Sequence, residues 1–279
     1  EFSCKGAVIA MRPLYTDKYA TYASPEMISN RKGVLAHALQ DAVDRPHPSH
    51  IPFTPYPKVI YNPYPIVFIL NGVATIGKNE FVDVMVEQSS DKEVIHLSTI
   101  DPVRDVVKHL LQLNDQYQGF FTNCTPSETV ITKKDDEYRD FLFNVKESWE
   151  KYDHGATTYS IGNIMRAIYD DTDKMCRAIF IDSRETETIN RITSAMNSVG
   201  IITMKILICG NRSTTADWKN GCDHNICTDE SFYDVVVHND GNLERLKLSA
   251  CSFWITLNNI LDTYGISRDG ACGDTTITK

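Results

Sequence analysis

The sequence predicts an α/β protein with three layers, in which helices cover both faces of a parallel sheet. From residue 66 onward, strand-like apolar runs alternate with stretches of helical periodicity, an order typical of a parallel sheet. The first run, IVFIL at 66–70, is continuous and rich in β-branched residues, as expected of a strand buried on both faces. With 42% hydrophobic and 23% charged residues, the chain of 279 residues can bury a large core.

The first 65 residues are predicted to form an extension of the main domain. Residues 24–43 have the pattern of one or two short helices. Seven of the eleven prolines then fall between Pro46 and Pro65, and this density excludes a helix or a central strand because each proline removes a backbone donor. We interpret 46–65 as an extended connector, either a surface linker or a specific recognition tail. The main domain is expected at 66–265, with a tail at 266–279.

The other elements follow in alternation along the main domain. Further strands are predicted at 93–97, 177–181, 201–209 and 233–237. Helices are predicted at 101–113, 134–151, 157–170, 186–198 and 242–261, after a first helix with Phe81, Val82, Met85 and Val86 on one face. The helices at 100–170 are expected to form a helical insertion, and residues 210–228 a polar lid loop.

The net charge and the cysteine content limit the classes of binding partner and the cellular compartment that fit this chain. A formal charge of −9 argues against binding to nucleic acid or to an anionic membrane, since both attract basic surfaces. The eight cysteines have no regular spacing and no Cys-x-x-Cys pair, which indicates free thiols in a reducing compartment. We expect neither a signal peptide nor a membrane span, and the free thiols favour a cytoplasmic protein. The sequence leaves the oligomeric state open, including a homodimer.

The sharpest motif is GVATIGKN, which begins directly after the first strand and leads into a helix. It has the G-x-x-x-x-G-K pattern of a P-loop, whose backbone N–H groups and lysine bind phosphates. The predicted nucleotide-binding residues are Gly72, Val73, Ala74, Thr75, Ile76, Gly77, Lys78 and Asn79. Asn79 stands where serine or threonine is usual, so it would ligate Mg²⁺ through its amide oxygen or only through water.

Two further segments are predicted to face the same phosphates. Asp182 and Arg184 follow the strand RAIFI, where Asp182 could orient Mg²⁺ and Arg184 could bind phosphate. The alternative is that Asp182 and Ser183 only cap the next helix. Arg212 lies in the predicted lid and could neutralise charge during phosphoryl transfer, or it could be an ordinary solvated loop residue.

A phosphorylated acceptor needs a cation opposite the glycine loop, and the helical insertion has candidates. Asp101 opens a helix that carries Arg104 and Lys108 on one face, and Arg139 follows later. Lys133, Lys134 and Lys146 lie in the same region, and for most of these charges a solvated helix face is the simpler interpretation. A zinc site at Cys222, His224 and Cys227 is disfavoured because the set lacks a fourth ligand.

From residue 66 to about 261 the chain resembles the phage deoxynucleoside monophosphate kinase family, whose wider relatives include animal phosphomevalonate kinase. Four segments carry the resemblance by their order and spacing: NGVATIGKN, STIDPVRD, FIDSRETE and YDVVVHNDGNLERL. In that family the Gly-Lys pair is commonly followed by aspartate, from which Asn79 differs by an amide.

The resemblance implies a P-loop NTPase-type fold and ATP-dependent phosphoryl transfer to a (deoxy)nucleoside monophosphate. ATP and Mg²⁺ would bind at 72–79, the catalytic residues would be Lys78, Asp182, Arg184 and Arg212, and the acceptor would bind within 100–170. If the protein is phage-encoded, it would act in the host cytoplasm. Two alternatives stay open: a nucleotide-binding module with weak catalysis, and a kinase of a non-nucleotide phosphate.

Overall fold

The computed structural model describes residues 25–46, 65–73, 75–89, 93–116, 136–169, 176–210 and 226–264. The helices are α1 (Pro25–Asp44), α2 (Lys78–Gln88), α3 (Asp101–Gln116), α4 (Asp136–Asp153), α5 (Gly155–Tyr169), α6 (Thr186–Ser198) and α7 (Leu243–Tyr264). The strands are β1 (Ile66–Asn71), β2 (Val94–Ser98), β3 (Ala178–Asp182), β4 (Thr203–Cys209) and β5 (Val235–His238), and a 3₁₀ helix (Glu230–Phe232) precedes β5. Residues 47–64 of the predicted connector (46–65), Ala74, Arg212 and the tail at 266–279 lie outside the described residues.

The five strands form one sheet in the order β2-β3-β1-β4-β5, and every pair is parallel. The predicted α/β class with a parallel sheet is therefore confirmed, and β1 is the central strand. Strand ends differ from the predictions by one or two residues. For example, β5 begins at Val235, after Tyr233, whose hydroxyl donates to the carbonyl of Cys227, and Asp234, whose carboxylate accepts from the N–H of Lys205.

Helices pack on both faces of the sheet. On one face, α1, α2 and α7 bury an aromatic cluster in which Phe68 stacks on Phe180 with ring centroids 4.8 Å apart. Phe253 of α7 contacts both rings edge-on or tilted. On the other face, α5 and α6 cover the alternate residues of the central strands, including Val67 and Ile69. Burial on both faces explains why residues 66–70 of β1 are all apolar instead of alternating.

Helix α1 shares the core of the sheet although it precedes the proline-rich segment. Leu35 and Leu39 are buried in the same apolar cluster as β1. Gln40 contacts edge strand β5 through two hydrogen bonds: its Nε2 donates to the carbonyl of Val236 at 3.0 Å, and its Oε1 accepts from the N–H of Val236 at 2.7 Å. Lys32 also pairs with Asp234 at 2.9 Å. The domain boundary at residue 65 stays a prediction, but α1 packs on the sheet instead of standing apart.

The predicted helical insertion corresponds to α3, α4 and α5. These helices contact one another through a smaller apolar cluster that contains Val103, Val107, Leu142 and Ala156. Within the described part of the chain, no helix combines the length and the apolar character needed to cross a membrane.

The strands all end at one edge of the sheet, because all run in the same direction. Their last residues are Asn71, Ser98, Asp182, Cys209 and His238. Ligands of parallel α/β sheets bind beyond this edge. All five end residues have side chains that can donate or accept hydrogen bonds or bind a ligand. A functional site is therefore expected at this edge.

Candidate functional site

The loop from Gly72 to Lys78 connects the central strand β1 to helix α2, and its two glycines are required by its shape. Gly72 has a φ of 142°, and a Cβ there would lie 2.4 Å from the carbonyl oxygen of Ile208. Gly77 has a φ of 103°, and a Cβ there would lie 2.5 Å from Cδ2 of Leu246. Both φ values fall in the region that disfavours side chains, and both positions lack space. The sequence pattern therefore reflects a backbone path that only glycine permits.

Lys78 is the first residue of α2, and its ammonium group lies against the glycine loop. Nζ donates to the carbonyl oxygens of Gly72 at 2.6 Å and of Val73 at 2.9 Å, and the residue is only 9% exposed. Gly77 is the N-cap of α2, and no side chain among the described residues caps it. A helix N-terminus whose N-cap residue has no side-chain cap, with a lysine ammonium beside it, is suited to bind an anion.

Two asparagines connect this loop to the segments that follow β3 and β5. Asn71 is fully buried; its Oδ1 accepts from the N–H of Gly72 at 2.6 Å, and its Nδ2 donates to the carbonyl of Arg184 at 3.3 Å. Asn239, which follows β5, donates from Nδ2 to the carbonyl of Ile76 at 2.7 Å. The loop is thus fixed from both sides. Asn71 had no predicted role of its own, although the sequence shows an amide directly after the apolar run of β1.

Asp182 ends β3, beside the loop. It is in register with Leu70 of β1, and its carbonyl oxygen accepts from the N–H and the hydroxyl of Thr99, both at 3.0 Å. The carboxylate faces His96 of β2, with 3.5 Å between Oδ1 and Nε2. Both atoms are buried and have no hydrogen-bond partner of ordinary length among the described residues. When His96 is protonated, the two side chains form an ion pair at this distance.

The charge on His96 depends on this pair. Burial alone would lower the pKa of the His96 imidazole, since it disfavours the charged form. The Asp182 carboxylate outweighs burial, with help from Asp83 and Asp101, so the pKa is raised above its ordinary value. His96 was missed in the sequence because a single histidine in a strand gives no signal until its neighbour across the sheet is known.

We expect the His96–Asp182 pair to make stability depend on pH. A histidine whose pKa is higher in the folded state stabilises the fold below its unfolded pKa of about 6.5, and this contribution is lost as the pH rises through the folded pKa. The wild type should therefore have a higher free energy of unfolding than the His96→Gln variant at about pH 5.5, and this difference should shrink as the pH rises. Denaturant unfolding at several pH values measures it, with His109→Gln as a control at an exposed histidine. An NMR titration that gives His96 a pKa below about 6.5 would contradict the prediction.

Two of the residues predicted to bind the acceptor, Asp101 and Arg104, form an ion pair with each other. Asp101 lies in the first turn of α3, where Oδ2 accepts from the N–H of Ser98 at 2.9 Å and Oδ1 pairs with Arg104 at 2.8 Å. The Asp101 carboxylate thus secures the start of its helix. Arg139 lies in α4, and Arg184 is half-buried after β3. Asn79 is exposed at the second position of α2.

A solvated helix face is the simpler interpretation for most of the charges in this region, but it does not hold for Lys146. Lys146 of α4 is only 3% exposed, and its Nζ lies 2.5 Å from Oε2 of Glu185. A helix face that looks solvated in the sequence is covered here, because the segment after β3 packs against α4. The ion pair links the helical insertion to the segment that carries Asp182 and Arg184. Such a buried pair is costly to break, since either partner alone would be an uncompensated charge.

The chain matches no protein-family model and no curated protein. The resemblance described above therefore depends on the four sequence segments themselves. All four follow or contain the carboxyl end of a strand, and they lie along the same edge of the sheet. Of the zinc set that the sequence disfavoured, Cys222 and His224 lie outside the described residues, and Cys227 is half-buried.

Proposed function

We propose that this protein binds ATP at the glycine loop and transfers the γ-phosphoryl group to a (deoxy)nucleoside monophosphate, giving the diphosphate. The observation that carries the proposal is the arrangement of Lys78, Asp182 and the uncapped start of α2 at the carboxyl ends of two adjacent parallel strands. A phosphate-binding loop, a buried cation and a carboxylate are the parts that phosphoryl transfer requires.

On the donor side, the backbone N–H groups of the loop and of the first turn of α2 would bind the triphosphate tail. The Lys78 ammonium would turn from the carbonyl oxygens of Gly72 and Val73 toward the phosphates, a short movement because its amine already lies over the loop. The rigid attachment by Asn71 and Asn239 would hold the loop amides in position. Positioning and electrostatics of this kind supply most of the rate in phosphoryl transfer.

The chain offers oxygen ligands of the type that Mg²⁺ prefers. The Oδ1 atom of Asp182 is buried without a hydrogen bond from the described residues, and the amide oxygen of Asn79 is exposed on the first turn of α2. Mg²⁺, when bound, would neutralise negative charge on the transferred phosphates. A neutral amide is a weaker ligand than a carboxylate, so Asp182 would carry most of the affinity.

On the acceptor side, we propose that α3, α4 and α5 bind the monophosphate. Arg104 is half-exposed beside Asp101, and the Lys146–Glu185 pair connects α4 to the segment of Arg184. Arg139 and Arg212 stay in the proposal as further cations for the acceptor phosphate and for the charge that develops during transfer. A kinase whose acceptor is a non-nucleotide phosphate would use the same parts.

One observation favours a second candidate, a nucleotide-binding module with weak catalysis. At Asn79 the chain has an uncharged, exposed amide where a hydroxyl or an acid would help to hold the metal. Binding through the loop amides and Lys78 would be unaffected, whereas turnover would be slow.

Measuring ADP formation from ATP with each deoxynucleoside monophosphate in turn tests the proposal. We expect ADP formation that depends on one or more of these acceptors and that falls in the Asp182→Asn variant. ATP-dependent thermal stabilisation without acceptor-dependent ADP would favour the binding module. Neither stabilisation nor ADP formation would remove both candidates. Activity with phosphomevalonate-like acceptors alone would identify the non-nucleotide kinase.

A further inference from the structure

A second group of ligand-type side chains lies at the same edge of the sheet, two strands away from Asp182. Cys209 is the last residue of β4 and His238 is the last residue of β5, and the two are paired in register. Neighbours in parallel register project to the same face, and here the Sγ of Cys209 lies 3.3 Å from Nδ1 of His238. Glu230 at the start of the 3₁₀ helix completes the group, and its carboxylate and the other two ligand atoms all lie within 4.8 Å of one another.

The spacing of these atoms suits a shared metal ion. Zinc binds thiolate at about 2.3 Å, imidazole at about 2.0–2.1 Å and carboxylate at about 2.0–2.2 Å, usually as a tetrahedron. At tetrahedral angles these bond lengths place the ligand atoms about 3.4–3.6 Å apart. The Cys209–His238 separation is already close to that value, and the exposed Glu230 side chain can close the remaining gap by changing rotamer.

The electrostatics of the group also favour a cation. An ordinary S–H···N hydrogen bond would account for the contact between Cys209 and His238, and the Glu230 carboxylate adds an oxygen ligand within 4.8 Å of both atoms. A divalent ion between these groups would be attracted by the Glu230 carboxylate and by the thiolate that forms when Cys209 releases its proton to coordinate the ion.

We propose that Cys209, Glu230 and His238 bind one Zn²⁺ ion, with water in the fourth position. Coordination through Sγ releases the thiol proton to solvent, and the imidazole binds as the neutral ring through Nδ1. Three protein ligands and one open position are typical of zinc sites that are not fully closed. The ion would connect the ends of β4 and β5 to the 3₁₀ helix. The site is independent of the proposed kinase chemistry, because it shares no residue with the glycine loop, and its thiolate and imidazole ligands select a softer metal than Mg²⁺.

Cobalt substitution of the full-length, reduced and chelator-treated protein tests the site directly. Co²⁺ bound through a cysteine gives a thiolate-to-metal charge-transfer band, and Zn²⁺ should displace Co²⁺ from the site. We expect one Co²⁺ per chain with this band, loss of the band in Cys209→Ser, and at least ~10-fold weaker binding in His238→Ala. Glu230→Gln should weaken binding while keeping the band. Melting temperatures measured without metal show whether each variant still folds.

The other cysteines provide the controls. Cys251→Ser changes a half-buried thiol on α7 that contacts Gln88. This variant should keep both the band and the affinity. The proposal is overturned if the wild type shows no charge-transfer band, if Cys209→Ser retains it, or if Cys222→Ser removes it while Cys209→Ser does not.

Discussion

We expect the Lys78→Met variant to form ADP in the presence of an acceptor at least ~100-fold more slowly than the wild type, since removing one preorganised donor to a developing phosphate charge has this size of effect. The ammonium lies within hydrogen-bond distance of the carbonyl oxygens of Gly72 and Val73, at the start of α2. Methionine keeps the apolar stem in a position that is only 9% exposed, so the variant removes the charge with little loss of packing. Steady-state ADP formation and ATP-dependent thermal stabilisation are the two measurements.

The matched control is Lys247→Met, which changes an exposed lysine on α7. This control should keep the wild-type rate, and both variants should keep the wild-type melting temperature within a few degrees. Wild-type turnover by a folded Lys78→Met protein would exclude the glycine loop as the donor site. If the variant binds ATP normally but fails in turnover, the lysine acts on the transferred charge and not on ground-state binding.

We expect Phe253→Ala to lower the free energy of unfolding by about 3–5 kcal/mol, which is the usual cost of replacing a buried phenyl ring by a methyl group and leaving a cavity. Phe253 is fully buried in α7, and its ring lies 5.3 Å from that of Phe68 and 5.6 Å from that of Phe81, measured between centroids. The ring joins α7, α2 and the central strand, so the space left by alanine cannot be filled by one neighbour alone. Urea unfolding, followed by far-UV circular dichroism, measures the loss.

Tyr152→Ala is the control for this variant, since Tyr152 of α4 has a side chain that is 87% exposed. It should change the free energy of unfolding by no more than about 0.5 kcal/mol. A loss below about 1.5 kcal/mol for Phe253→Ala would mean that the aromatic cluster collapses around the cavity or is packed differently.

The sequence was sufficient to predict the elements of this fold but not their arrangement. The run Ile66–Leu70 indicated a strand buried on both faces, and it is the central strand β1. The order of the strands was not predictable, because it depends on which helix covers which face. The packing of α1 was missed for the same reason. Its apolar positions were visible in the sequence, but a helix that precedes a proline-rich segment carries no sign of the surface it covers.

In the candidate site too, the sequence predicted the local motif but not the contacts between residues far apart in the chain. Glycines and a lysine at fixed spacing describe a local backbone path, so the loop could be recognised from the sequence alone. His96, Asn71 and Lys146 take their roles from partners 86, 113 and 39 positions away along the chain, at Asp182, Arg184 and Glu185. Pairings across such distances are made by the sheet and by helix packing. Periodicity within one element cannot show them.

The double hydrogen bond between Gln40 and Val236 has a consequence for association between molecules. An edge strand normally presents unpaired N–H and C=O groups that can template another chain. At Val236 both groups are already occupied by a side-chain amide, which imitates the next strand without continuing the ladder. A shortened chain that starts at Ile66 would uncover this edge, and it would be prone to edge-to-edge aggregation even though every strand of the sheet would still be present.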